Sequence, residues 1–136
     1  MEIEKTSTEE VYSFLNPQWR QFFDEKGLPF DISRYAIAAY QSQDLVGAAV
    51  IKIKGGICKL EDIFVREDQR RKGIGSQLLS SIEQEAIKSS CRRIVAETSE
   101  LHEEALSFYH EHNFNVIAEI PDYYYGATWF ILAKDL

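Results

Sequence analysis

The sequence lacks any long apolar segment. Nowhere do about 18 apolar residues stand together, the length that a helix needs to cross a membrane. The start, MEIEKTSTEEVYSF, has no cationic stretch followed by a long apolar run, as a secretion signal would have. We therefore expect no membrane partner and a cytoplasmic location.

Cysteine is also scarce. Cys58 and Cys91 are the only two in the chain, which is too few, and too widely spaced, for a disulfide scaffold or a metal framework. We expect both to be small buried hydrophobes and expect no metal. No Cys–His or Ser–His pairing is legible in the sequence, so we also expect no covalent enzyme intermediate.

Basic residues are fewer than acidic residues in this chain. The chain has 22 acidic and 15 basic residues, a net charge of -7. Nucleic acids and anionic membranes both favour a basic surface, so neither is expected as a partner. The balance mildly favours a cationic substrate.

What the chain does contain is enough apolar residues, 45% of 136, for one ordinary core. There are no repeats, low-complexity tracts or linkers, so we expect a single domain, residues 1–136. Ser7 and Glu10 have the form of a capping box, and Asn16 followed by Pro17 can open a second helix that ends near Gly27. The sequence therefore predicts two short helices near its start.

Strand-like runs follow. Residues 34–65 predict a three-stranded meander with turns at SQD and KGGI, and apolar residues at helical spacing then predict a helix from Ile74 to about KSSC. RRIVAE predicts a buried strand, HEEALSFYHEHN a helix that ends at Asn113, and FNVIAEI and TWFILAKDL two last strands. The order indicates a mixed α/β domain whose central sheet carries helices on its faces.

The turn VREDQRRKGIG joins the third strand to that helix. A helix N-terminus presents free N–H groups and a favourable dipole to an anion. Gly73 and Gly75 have no Cβ atoms that would keep an anion away from the backbone N–H groups. The cationic residues nearby are Arg66, Arg70, Arg71 and Lys72. The spacing matches neither a P-loop nor a dinucleotide fingerprint. These residues alone are equally consistent with an anion-binding site and with a basic turn that is simply exposed to solvent.

RRKGIG after LEDIFV resembles the acetyl-CoA signature of the GNAT superfamily of N-acetyltransferases, and EEALSFYHEHNF resembles the family's second signature. The order of elements from residue 34 onward also resembles the GNAT fold. The resemblance implies a largely antiparallel sheet, splayed between the family's fourth and fifth strands, with helices on both faces. It also implies that the fourth strand carries a bulge and that the cofactor's pantetheine arm adds to its exposed edge.

The same resemblance implies that the anion is the pyrophosphate of acetyl-CoA, held by backbone N–H groups of residues 71–76. His102 occupies the position of an Asn that contacts the cofactor arm in many members. The cofactor-binding residues implied in this way are Ile63, Phe64, Val65, Arg70, Arg71, Lys72, Gly73, Ile74, Gly75, Ser76 and His102.

For the chemistry, the resemblance places Tyr109 where the family has the acid that protonates the leaving thiolate; the alternative is a core aromatic beside Phe108. Glu61 resembles the glutamate that helps to deprotonate the amine. Strand alternation puts Glu61 and Asp62 on opposite faces, so we expect at most one to face the acceptor, with Asp62 as a possible acceptor contact. The alternative is that both are solvated strand charges.

The loop IPDYYYGATW lies where GNAT enzymes often line the acceptor pocket, so Tyr123 and Tyr124 are expected to contact the acceptor or else to cover the sheet edge. The resemblance implies an acyltransferase that transfers acetyl from acetyl-CoA to a primary amine by direct attack. We expect a small polyamine-like, amino-sugar or amino-acid-derived acceptor. The alternatives are a protein lysine or N-terminal acetyltransferase, and a non-catalytic acyl-CoA-binding module. A tRNA-acetylating toxin fits the charge poorly, and a homodimer is possible by analogy.

Overall fold

Six strands form one sheet at the centre of the computed structural model, which describes all 136 residues. The sheet has the order β1-β2-β3-β4-β6-β5, and only the β3–β4 pair is parallel. The strands are β1 Ile32–Gln41, β2 Asp44–Lys54, β3 Ile57–Val65, β4 Arg93–Ser99, β5 Asn115–Ile120 and β6 Trp129–Asp135. The predicted mixed, largely antiparallel sheet is confirmed.

Two tight hairpins produce the predicted meander of β1, β2 and β3. Ser42 and Gln43 connect the first pair and Gly55 and Gly56 the second, and all four have positive φ, from +47° to +83°. Paired positive φ values are those of a type I′ turn, whose twist matches that of the flanking strands. The turn residues thus set the register of the first three strands.

The first helix, α1, runs from Thr8 to Asp24 without interruption. The prediction of two short helices is therefore wrong, although Ser7 caps α1 as expected by accepting a bond from the backbone N–H of Glu10. Pro17 lies inside the helix and removes one backbone donor. Apolar residues continue at helical spacing on both sides of it, including Val11, Leu15 and Trp19, so one face persists through the proline.

Helices α2, Ile74–Lys88, and α3, Glu103–Glu111, lie on one face of the sheet. Leu79, Ile82 and Ala86 of α2 join Tyr109 of α3 in a single core cluster with the sheet. Side chains of α1 instead share a cleft with Ile32, Arg34, Lys52 and Lys54. Those strand residues alternate with core residues such as Ile37 and Ile51, so α1 covers the opposite face. No helix is long and apolar enough to cross a membrane.

Both cysteines lie in this core, as the sequence indicated. Burial raises the pKa of Cys58 to about 11, with the nearby Cys91 adding to the shift. A thiol with a raised pKa carries little of the reactive thiolate. The two residues therefore act as small hydrophobes.

The sheet opens between β3 and β4. Their pairing runs only from Ile57 with Arg93 to Leu60 with Ala96. Beyond it, residues 61–65 of β3 and 97–99 of β4 continue as strands without pairing to each other. The result is a gap that exposes one edge of β3, and this is the splay that the resemblance implied.

Candidate functional site

A β-bulge at Glu61 lies at the base of the gap. Ile51 pairs with Leu60 and Val50 pairs with Asp62, so Glu61 is an extra residue in β3. Leu60 is only 4% exposed and Ile63 packs against the core, which leaves both acidic residues between them on the opposite face. The prediction that alternation separates Glu61 from Asp62 is therefore wrong, because the bulge interrupts the alternation.

The two bulge carboxylates differ in their partners. The guanidinium Nε of Arg34 donates to Glu61 Oε1 at 3.0 Å, which neutralises Glu61 from β1. Asp62 is exposed and has no ion pair within 4.0 Å. Glu61 is thus held in a fixed position, whereas Asp62 is available to a cationic ligand.

Glu97 is a third carboxylate at the gap, and the sequence analysis missed it. It follows Ala96, the last paired residue of β4, and it alternates with buried Ala96 and Thr98, so it shares the face of Glu61. Lys59 Nζ lies 3.9 Å from its Oε1. The alternation in RIVAETS could have placed Glu97 on this face, but only the strand pairing places it across the gap from Glu61.

The tyrosine loop lies near Glu97. The Tyr123 and Tyr124 rings are 4.4 Å apart, and Trp129 Nε1 donates to the backbone oxygen of Tyr124 at 2.9 Å. The Tyr124 side chain, through hydrogen bonding and its own charge, raises the pKa of Tyr123, and Glu97 adds to the shift. Tyr125 is 91% exposed. Tyr123 thus lies close enough to Glu97 for their charges to interact, and Trp129, which was not predicted, holds the backbone of the loop.

Tyr109 lies on the other face of the sheet, with its ring between Phe108 and Phe114 at centroid distances of 5.6 and 5.2 Å. It is 4% exposed, and burial raises its pKa to about 12. No buried side-chain oxygen in the protein is without a hydrogen-bond partner. Since none of the side-chain hydrogen bonds involves the Tyr109 hydroxyl, this oxygen must reach accessible surface. The ring is therefore core and the hydroxyl is free to donate.

The N-terminus of α2 lies at the end of the loop that follows β3. Gly73, with φ +80°, is its N-cap, and the first bond of the helix runs from the N–H of Gln77 to the oxygen of Gly73. The N–H groups of residues 74–76 therefore have no acceptor within the helix. Arg71 also has a positive φ, +61°, so the preceding loop is wound tightly. The first turn of α2 thus presents free backbone donors where the glycine turn predicted an anion site.

Three predicted cationic residues surround this turn. Arg70 and Arg71 lie 3.7 and 3.8 Å from the carboxylate of Glu104 on α3, and Lys72 bonds to Gln69. Arg70 also lies over the Phe64 ring, 5.0 Å from its centroid. All three side chains are exposed, so these pairs are weak enough to yield to a stronger anion.

Gly75 and Ser76 make contacts with α3. A Cβ on Gly75 would lie 3.1 Å from the Phe108 ring, so this glycine permits close packing of α2 on α3. Ser76 Oγ lies 2.9 Å from His112 Nε2, and His112 Nδ1 lies 2.7 Å from the oxygen of Phe108. His112 was not predicted, because 36 residues separate it from Ser76.

His102 precedes α3 and its Nδ1 lies 3.0 Å from Ser99 Oγ. Ser99 is fully buried and its oxygen also accepts from the N–H of Leu101. The structure thus contains two Ser–His contacts that the sequence did not reveal. The buried Ser99 cannot meet a substrate, and the Ser76 contact joins α2 to α3.

We predict that Gly73→Ala lowers the free energy of unfolding by about 1 kcal/mol, because an L-residue is strained at this φ. Gly73→Asn should cost less, since Asn tolerates this conformation. Urea denaturation measures both, with Ser81→Ala on the exposed face of α2 as the control. Equal stability of Gly73→Ala and the unmodified protein would contradict the need for glycine here.

Comparisons with known proteins agree with this arrangement. The model of the acetyltransferase (GNAT) family matches residues 4–114, so the chain belongs to that family. Streptothricin acetyltransferase A from Bacillus subtilis (strain 168) is 29% identical over an alignment of 116 residues that covers 80% of this chain. The chain spans 64% of the length of that relative.

Solved structures share the fold. An acetyltransferase from Bacillus cereus ATCC 14579 has a TM-score of 0.82 at 20% identity, covering 100% of this chain and 98% of its own. PaiA N-acetyltransferase from Thermoplasma acidophilum, solved in complex with coenzyme A, has a TM-score of 0.66 at 18% identity, covering 96% and 80%. The predicted GNAT acyltransferase fold is thereby confirmed.

The residues at the gap and at the first turn of α2 fit acetyl-CoA, the cofactor of this family. A pyrophosphate needs several convergent N–H donors and nearby cations, and the first turn of α2 supplies both. An amide-rich pantetheine arm needs a strand edge that is not paired with another strand, and residues 63–65 of β3 lie beyond the pairing with β4. On this segment the oxygen of Val65 accepts from Arg70 Nε at 2.9 Å.

Proposed function

We propose that this protein transfers an acetyl group from acetyl-CoA to the primary amine of a small molecule by direct attack, with the cytoplasm as its expected location. The observation that carries the proposal is the gap between β3 and β4. It leads to the anion-binding turn of α2, with Tyr109 on one face of the sheet and Glu61 on the other. A donor and an acceptor can thus meet from opposite sides.

Binding of the cofactor rests on backbone groups. The N–H groups of residues 71–76 would hold the pyrophosphate, with Arg70, Arg71 and Lys72 supplying charge. The exposed edge of Ile63, Phe64 and Val65 would align the arm. When bound, acetyl-CoA supplies an activated acetyl thioester.

The chain's own groups then supply the acid and base. Glu61, held by Arg34, would take a proton from the protonated amine, which would free the nitrogen lone pair to attack the thioester carbon. Backbone N–H groups of residues 63–65 would stabilise the charge that develops on the carbonyl oxygen. The new C–N bond would replace the C–S bond, and the Tyr109 hydroxyl would donate a proton to the departing sulfur. The second proton that the nitrogen loses as the amide forms would restore the Tyr109 phenol.

Tyr109 suits this role because it is neutral. Burial raises the pKa of Tyr109, so the phenol keeps its proton at neutral pH until the sulfur departs. Asp62, Tyr123 and Tyr124 would contact the acceptor. Streptothricin acetyltransferase A, which is named for a small-molecule acceptor, supports this choice over a protein substrate.

Acetyl-CoA should raise the melting temperature of the protein by several degrees, because a ligand at a hundred times its Kd stabilises by about 2.7 kcal/mol. Arg71→Gln should reduce the shift, and Lys88→Gln, an exposed lysine at the end of α2, should leave it unchanged. Absence of any shift would contradict the cofactor site. A shift without turnover on any amine would support the binding-module alternative.

A further inference from the structure

A row of three cations crosses the sheet on the face covered by α1. Arg34 on β1 is the direct partner of Lys52 on β2, and Lys52 is the direct partner of Lys59 on β3. Each alternates with core residues of its strand, so all three side chains lie on one face. Like charges directly opposite one another destabilise a sheet. A nearby anion would relieve the repulsion within this row.

The protein's own carboxylates neutralise only the two ends of the row. Arg34 is paired with Glu61 at 3.0 Å and Lys59 with Glu97 at 3.9 Å. Lys52, between them, has no carboxylate within 4.0 Å. It is also half-buried, in a chain with a net charge of -7. The central cation thus forms no ion pair within 4.0 Å, although acidic residues are abundant in the chain.

Lys52 lies in a cleft of about 710 Å³ between α1 and the sheet. Apolar side chains form most of its walls, and Arg34, Lys52 and Lys54 are its cations. Lys54 Nζ lies 5.7 Å from the centroid of the Phe30 ring and also has no acidic partner. The apolar lining residues are Tyr12, Leu15, Trp19, Phe23, Phe30 and Ile32. A cleft of this kind fits a ligand with an apolar body and an anionic group.

The cleft adjoins the bulge carboxylates. Asp62 pairs with Val50, and Lys52 lies two residues further along β2, a separation of about 7 Å. A negative side chain on β3 and a positive side chain on β2 therefore lie near each other on this face. A molecule with an amine at one end and an acid at the other matches both.

We infer that the acceptor is an ω-amino carboxylate. Its carboxylate binds Lys52, with Lys54 beside it, its apolar chain lies against the aromatic walls, and its amine reaches Glu61 and Asp62. This inference rests on the proposed function and selects, among its small acceptors, the class derived from amino acids. A diamine is disfavoured, because its second ammonium would face the cation row.

The test measures initial rates of coenzyme A release with straight-chain ω-amino carboxylates, from γ-aminobutyrate to ω-aminocaprylate, with hexylamine and with hexamethylenediamine. The best amino carboxylate should exceed hexylamine roughly tenfold in kcat/KM, the usual contribution of one charge-assisted contact. In Lys52→Gln this ratio should fall to near one, mainly through KM. Lys88→Gln should retain the full ratio.

A second measurement separates binding from folding. Removing a cation that faces two others should leave the melting temperature of ligand-free Lys52→Gln equal to or above that of the unmodified protein. A preference for hexamethylenediamine, or a carboxylate preference that survives in Lys52→Gln, would overturn the inference and leave the proposed function intact. If no amine releases coenzyme A although acetyl-CoA stabilises the protein, the result would contradict both this inference and the proposed function.

Discussion

Tyr109→Phe should lower kcat by about a hundredfold or more, the usual contribution of a positioned general acid. Only the hydroxyl is removed, and it makes no hydrogen bond to the protein, while the ring keeps its contacts with Phe108 and Phe114. Affinity for acetyl-CoA and the melting temperature should therefore change little. Steady-state rates and calorimetric titration with acetyl-CoA measure the two effects separately.

Tyr125→Phe is the matched control, because it removes the same hydroxyl from a side chain that is 91% exposed. Its kcat should equal that of the unmodified protein. Equal rates for Tyr109→Phe would instead show that Tyr109 is a core aromatic without a role in proton transfer.

The pKa of Tyr109 also sets an expectation for pH. Burial raises this pKa from about 10 to about 12, so the acid stays protonated through neutral and moderately alkaline pH. The stabilisation from the neutral buried phenol is fully present below pH 10 and is lost as pH rises toward 12. Tyr109→Phe should remove part of this alkaline loss of stability in unfolding experiments.

Glu61→Gln should lower kcat/KM by about a hundredfold near neutral pH, because it removes the base and keeps the shape of the side chain. A primary amine has a pKa of about 10.4, so at pH 7 almost all of it is protonated and needs a base. The deficit should shrink as pH rises toward that pKa and the free amine becomes abundant. A pH–rate profile of both proteins measures this convergence.

The fold should survive the change. Glutamine can still accept from Arg34, and an exposed ion pair contributes at most about 1 kcal/mol. Glu119→Gln, on an exposed position of β5, is the matched control. A deficit that stays constant from pH 7 to pH 10 would mean that Glu61 orients the site without taking the proton.

Local patterns predicted most of the fold. The Gly55-Gly56 turn defines one hairpin, and the spacing of Leu78, Leu79 and Ile82 defines α2 and its buried face. The glycine turn and the Phe-Tyr pair likewise led to the correct family. These features lie within short windows of sequence, where turn chemistry and periodicity act directly.

Features that depend on how distant segments pair could not be predicted. The bulge at Glu61 is visible only from its register with β2, and it reverses the expected separation of Glu61 and Asp62. The cation row likewise requires three strands in register. At Pro17 a local rule failed, because α1 continues through the proline although the helix loses one backbone donor there.

The most direct test of the proposal is one turnover experiment. Protein, acetyl-CoA and the best amine from the panel are combined, and mass spectrometry follows the amine and the intact protein together. We expect acetylated amine to form in step with free coenzyme A while the mass of the protein stays unchanged. Acetyl-CoA that is bound but never consumed, or an acetylated protein that forms before the product, would contradict direct transfer at the gap between β3 and β4.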